Sequence, residues 1–71
     1  MDWTTAKAGI ETGTKCGFQG TWASHIAVVK GSDGTLHIEG YVDYGQWSPT
    51  DAQQQATNWE LAPYNGDLPP R

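Results

Sequence analysis

Residues 36–44, LHIEGYVDY, form the most regular stretch of the sequence. Apolar residues alternate there with polar or aromatic ones, and the apolar register consists of Leu36, Ile38, Gly40, Val42 and Tyr44. This period of two predicts a hairpin with one buried face and one polar face. A second β-rich run covers residues 22–29, and the GSDG segment at 31–34 indicates a turn between the two runs.

The N-terminal segment has the spacing of a helix instead. Trp3, Ala6 and Ile10 recur at i, i+3 and i+7, which predicts a helix over 3–12 with one apolar stripe. Gly13 is placed to end this helix in a left-handed turn. The candidate N-cap residues are Asp2 and Thr4.

A second, shorter helix is expected over 48–57. Two capping-box pairs are possible at its start, Ser48 with Asp51 or Thr50 with Gln53. Both place Pro49 near the first turn, where proline is tolerated.

Short strands are expected on either side of these elements, over 15–18 and 58–62. The resulting fold class is α+β: a small antiparallel sheet with an N-terminal helix and a short second helix. We expect residues 1–62 to form a single domain and 63–71 a flexible C-terminal tail.

The composition indicates a globular chain that needs extra stabilisation. The 71 residues include four Trp and three Tyr but few aliphatic side chains, and the one cysteine cannot form an intramolecular disulfide. Small domains without disulfide or metal staples often gain stability by self-association. We therefore expect a homo-oligomer.

Charge and hydropathy exclude several partners. The formal net charge is −4, and the basic residues are few and scattered, which disfavours duplex nucleic acid. No apolar run approaches the roughly 18 residues of a membrane span. The lone Cys16 is compatible with a reducing, cytosolic compartment.

Four short motifs occur in order along the chain: WxxAxxxIxxGxK at 3–15, Trp22, WxPT at 47–50 and AxxWEL at 56–61. Together they resemble the Thoeris anti-defence 2 family of small phage proteins. The resemblance implies a sponge that sequesters, without cleaving them, the cyclic ADP-ribose isomers made by bacterial TIR proteins, and in some members cyclic dinucleotides. It also implies a homotetramer with pockets between subunits, acting in the cytoplasm of the infected bacterial host.

Two positions depart from that family pattern. Lys7 occupies a helix position that is usually aliphatic in the family. Gly17-Phe18-Gln19 stands where members often carry a basic residue.

A ligand of this class contains a purine, two riboses and a pyrophosphate. Trp22 and Trp47 lie beside Gly- or Pro-rich turns, where pockets form, and could stack on the purine. Thr50, with exposed N–H groups at the start of the second helix, could hold the pyrophosphate. Asp51 is a candidate partner of the ribose hydroxyls, and Lys15 could supply one full positive charge.

The sequence contains no catalytic triad, phosphate-binding loop or metal-ligand spacing. We therefore predict no catalytic residue, no metal site and no cofactor. The alternative function is that of a small protein-binding inhibitor module that acts directly on a host protein. An exposed aromatic patch without a concave pocket would favour that alternative.

Overall fold

The N-terminal helix packs through one apolar stripe against the sheet. In the computed structural model, which describes residues 1–68, helix α1 spans Trp3–Glu11. The side chain of Asp2 caps it by accepting a hydrogen bond from the backbone N–H of Thr5 at 2.9 Å. Its buried residues are Trp3, Ala6 and Ile10, so the predicted stripe is confirmed. Gly13 follows the helix with φ at +79°, the expected left-handed turn.

Within residues 1–68, one sheet contains five antiparallel strands: β1 Lys15–Gln19, β2 Ala27–Lys30, β3 Leu36–Glu39, β4 Asp43–Gln46 and β5 Trp59–Pro63. Their order across the sheet is β4-β3-β2-β1-β5. A short helix α2, Asp51–Gln55, precedes β5. The α+β class with an antiparallel sheet is therefore confirmed.

The β-rich run at 22–29 is a strand only in its second half. Its first half is a loop, in which the N–H of Trp22 donates to the carbonyl of Gln19 and that of Ile26 to the carbonyl of Ala23. These local turns hold the Trp22 side chain against the apolar core instead of in a strand register.

The 36–44 stretch, expected as one β run that pairs with 22–29, is instead divided between β3 and the start of β4, and its apolar register is not buried throughout. Leu36 and Ile38 pack against the core, whereas Val42 and Tyr44 are each 60% exposed. The chain reverses between Gly40 and Val42, where the N–H of Gly40 donates to the carbonyl of Val42 at 3.0 Å. Val42 lies in this reversal and Tyr44 lies in the edge strand β4, and both side chains remain at the surface.

Helix α2 is shorter than expected and uses one of the two predicted capping boxes. The hydroxyl of Thr50 accepts from the N–H of Gln53 at 3.1 Å, and the side-chain oxygen of Gln53 accepts from the N–H of Thr50 at 2.8 Å. Ser48 and Pro49 lie before the helix.

The segment expected as a tail packs on the sheet over residues 63–68. Pro63 ends β5, and Tyr64 and Leu68 cover a second buried cluster formed by Cys16, Ala27 and Val29. The Tyr64 hydroxyl donates to Glu39 at 2.6 Å; burial, together with this bond, raises the pKa of the phenol. The packed part of the chain thus continues beyond residue 62, where we expected the domain to end and the tail to begin. Residues 69–71 of the expected tail lie outside the described part of the chain.

Two glycines allow α1 to approach the sheet closely. A Cβ added to Gly17 of β1 would collide with Cδ1 of the fully buried Ile10. A Cβ on Gly9, in the interior of α1, would collide with Cδ1 of Leu61. The close packing explains why glycine occupies a helix-interior position that it otherwise destabilises.

We predict that Gly17→Ala lowers the free energy of unfolding by about 1–3 kcal/mol, the usual cost of overpacking a core. The measurement is a urea titration followed by circular dichroism. Gly20→Ala is the matched control, because its new Cβ would meet the carboxylate end of the exposed Glu60 side chain and would lie in ordinary van der Waals contact with the carbonyl of Asn58. Equal unfolding midpoints for the two variants would contradict the close contact.

Candidate functional site

The four tryptophans of the chain form one cluster around Trp59. The Trp59 side chain is fully buried, and its ring centroid lies 4.8 Å from that of Trp3, 5.3 Å from Trp22 and 6.2 Å from Trp47. Tilted and edge-to-face contacts of this kind stabilise beyond the area that they bury. The Trp59 indole N–H donates to the carbonyl of Gln53 at 2.8 Å, which satisfies the buried donor.

Trp22 and Trp47 reach this cluster from two separate turns. Trp22 follows β1, and Trp47 follows β4, where its N–H donates to the carbonyl of Leu36 at 2.9 Å and extends the hairpin. The two ring centroids are 6.4 Å apart, and both side chains are half-buried. The structure thus brings together the two tryptophans that the sequence analysis selected.

Trp47 lies between two surface cavities. The smaller, here called the loop cavity, has a volume of about 270 Å³ and is lined by Trp22, Ala23, Ile26, Ile38, Trp47 and Gln53. The larger, here called the hairpin cavity, has a volume of about 520 Å³. Its lining residues are Trp3, Lys7, Glu11, Thr35, Leu36, Gln46, Trp47, Ser48, Pro49 and Gln54.

Thr50 and Asp51 directly follow Ser48 and Pro49, two lining residues of the hairpin cavity. Within residues 1–68, Thr50 and Asp51 themselves line neither cavity. The N–H of Thr50, expected to be available to an anion, is bonded to Gln53 in the capping box. Asp51 is the exposed first residue of α2, where its negative charge suits the helix start.

Lys15 lies at the far end of the β1–β5 ladder from the tryptophans. It pairs with Pro63, whereas Trp59 pairs with Gln19 at the other end. Four residues along a strand span roughly 13 Å. The structure therefore does not bring Lys15 to the tryptophan cluster.

Lys7, which was not selected from the sequence as a ligand residue, lines the hairpin cavity. Trp3, Lys7 and Glu11 follow one another at i,i+4 spacing, so they share one face of α1. That face borders the hairpin cavity. The spacing from Trp3 was the signal that could have identified Lys7.

A second polar cluster lies on the hairpin, around His37. Its Nε2 is 3.0 Å from Asp33 Oδ1, and its Nδ1 is 3.0 Å from both carboxylate oxygens of Asp43. Asp43 and then Asp33 raise the pKa of His37 by favouring its protonated form. The cluster ties the β2–β3 turn to the first residue of β4.

The two carboxylates of this cluster are held in their charged form. Hydrogen bonds from Thr35 and then from His37 lower the pKa of Asp33 well below its usual range. The N–H of Gly45 and then His37 lower the pKa of Asp43.

Comparison of the chain with protein-family models, curated proteins and solved structures finds no match. Over residues 1–68, neither helix has the length and apolar character needed to cross a membrane.

The His37 cluster generates a pH prediction. The pKa of His37 is higher in the folded protein than in the unfolded chain, where it is about 6.5. Protonated His37 therefore stabilises the fold fully below about pH 6.5, and this stabilisation is lost as the pH rises through the pKa of the folded protein. The aspartates act oppositely: their contribution is present above about pH 4 and is lost as pH falls through their lowered values. We expect the thermal midpoint of the wild type to fall as pH rises above about 6.5.

The check is a series of thermal melts across this pH range on two matched variants. His37→Gln should remove most of the fall, whereas His25→Gln retains the cluster and should reproduce the wild-type slope. Parallel curves for the wild type and His37→Gln would refute the role of this cluster.

Proposed function

We propose that this protein binds and sequesters cyclic nucleotide signals of the cyclic ADP-ribose type, without cleaving them, at the cavities beside Trp47. The observation that carries the proposal is the half-buried Trp47 ring, which borders both cavities and lies 6.4 Å from Trp22. Stacking of a base on an aromatic side chain is worth about 1–3 kcal/mol. The resemblance to the Thoeris anti-defence 2 family supports this ligand class and an action in the cytoplasm of an infected bacterium.

The dimensions and chemistry of the hairpin cavity support the same ligand class. Its volume of about 520 Å³ falls within the usual range of small-molecule sites. Apolar surface from Trp47, Leu36 and Pro49 is combined with amide groups from Gln46 and Gln54. Such a combination suits a flat base attached to hydroxylated sugars.

A second candidate function, a protein-binding inhibitor, is favoured by the tip of the β3–β4 hairpin. Tyr41 is 81% exposed and stacks on His25 with ring centroids 4.5 Å apart. The neighbouring Val42 and Tyr44 are also exposed, which gives an aromatic patch outside both cavities. Exposed apolar patches of this kind often mark protein interfaces.

The proposal also includes self-association, with a tetramer as the form that the family resemblance implies. Apolar side chains left at the surface of a small domain are the natural candidates for burial between copies. In this chain those side chains include Tyr41, Val42 and Tyr44.

We expect light scattering at micromolar concentration to give a mass that is a multiple of the 7.7 kDa chain. Val42→Asp should shift the distribution towards the monomer, because it would place a charge in the buried interface. A 7.7 kDa particle for the wild type would refute self-association.

For ligand binding, we predict that Trp47→Leu weakens the affinity for cyclic ADP-ribose about 5- to 150-fold, which is the stacking free energy expressed as a ratio. Leucine retains apolar bulk against Trp3 and Trp59 but removes the aromatic face. Tyr41→Leu removes an exposed aromatic ring outside the cavities and should leave the affinity unchanged. The measurement is isothermal titration calorimetry on variants with wild-type thermal melts.

A retention experiment separates the function classes. The protein is incubated with cyclic ADP-ribose, filtered and heat-denatured, and the released compound is identified by mass spectrometry. Release of intact ligand is expected. Altered ligand would indicate an enzyme, and absence of retained ligand would refute the proposal and leave the protein-binding function as the better account.

A further inference from the structure

The hairpin cavity has walls of different chemical character. Helix α1 contributes Trp3 and Lys7 to its lining, and the β3–β4 hairpin contributes Leu36 and Gln46. Trp47 adds an aromatic ring to the apolar part of the surface. A ligand in this cavity would therefore contact an aromatic surface and a cationic side chain at the same time.

The charges around the cavity are unevenly compensated. Glu11 forms an ion pair with Lys30, which does not line the hairpin cavity. The Lys30 Nζ lies 4.0 Å from the Glu11 carboxylate and donates to the Glu11 carbonyl at 3.2 Å. Among residues 1–68, the ammonium of Lys7 makes neither a hydrogen bond nor an ion pair. Within the described lining, Lys7 and Glu11 are the charged residues, so pairing of Glu11 leaves one uncompensated positive charge.

Two amide side chains of the lining, Gln46 and Gln54, make only long hydrogen bonds within the protein. The side-chain nitrogen of Gln46 donates to Asp33 at 3.4 Å, and that of Gln54 donates to the carbonyl of Pro49 at 3.5 Å. Both distances lie beyond the usual range of strong N–H···O bonds. These donors could therefore contact phosphate or ribose oxygens in addition to Lys7.

A protein with a net charge of −4 repels anions overall, so an anion is bound where a local cation is uncompensated. Lysine binds phosphate as a point charge, and neutral amides complete the coordination of its oxygens. The aromatic surface beside the cation suits the base that is attached to the phosphate in a nucleotide.

We propose that the hairpin cavity is a nucleotide-diphosphate subsite, in which Lys7 recognises the pyrophosphate and Trp47 contacts the base. This inference rests on the function proposed above and specifies its cationic residue. It assigns to Lys7 the part that the sequence analysis gave to Lys15.

The test compares two probes that share a base and a ribose but differ in charge: cyclic ADP-ribose, which carries the pyrophosphate, and adenosine, which carries none. Lys7→Gln removes the charge and retains a side chain of polar character. Lys15→Gln is the matched control, because it makes the same change in net charge at the far end of the sheet. Affinities are measured by calorimetry at low and high salt.

We expect Lys7→Gln to weaken cyclic ADP-ribose binding about tenfold at low salt, the scale of one charge-assisted hydrogen bond, and to reduce its salt dependence. Adenosine binding to Lys7→Gln should equal that of the wild type. Lys15→Gln should leave both affinities unchanged.

Any result other than this pattern of affinities would refute the proposed subsite. Equal losses in Lys7→Gln and Lys15→Gln would show an effect of net charge, and a loss of adenosine affinity in Lys7→Gln would show a structural effect. Unchanged binding in Lys7→Gln with weakened binding in Trp47→Leu would refute the subsite and leave the proposed function standing. Absence of cyclic ADP-ribose binding to the wild type would refute both.

Discussion

Burial of the Trp59 side chain is the constraint on which the rest of the structure depends. Its indole N–H requires a partner in the core, and the carbonyl of Gln53 supplies it, which ties α2 to the Trp59 side chain. The same ring contacts Trp3, Trp22 and Trp47, and so connects α1, the loop after β1 and the end of the hairpin. Truncation of a buried tryptophan to alanine typically costs about 3–5 kcal/mol.

A core built around a tryptophan cluster has a consequence for function in a chain this small. Indole rings are larger than aliphatic side chains, so the outer members of the cluster extend from the core to the surface. Trp47 contacts Trp3 and Trp59 on the inside and borders both cavities on the outside. Trp47 therefore both stabilises the fold and belongs to the proposed binding surface, so that its ring is held in place by the core itself.

Local signals in the sequence predicted local structure well. The stripe of α1, Gly13 at its end and the Thr50–Gln53 box each depend on residues within one or two turns. Features set by long-range pairing were not predictable in this way. Alternation alone did not show that Val42 would lie in a chain reversal before the edge strand β4, nor that Lys15 and Trp59 would lie at opposite ends of one ladder.

We propose that Trp22 and Trp47 form a ligand-binding surface that Trp59 holds in place. Two-dimensional NMR of the four indole N–H groups during titration with cyclic ADP-ribose tests it most directly. We expect large shifts for the Trp47 and Trp22 signals and a nearly constant Trp59 signal, because the Trp59 N–H stays bonded to Gln53. Four unchanged indole signals at saturating ligand, or shifts confined to the hairpin tip around Tyr41, would contradict it.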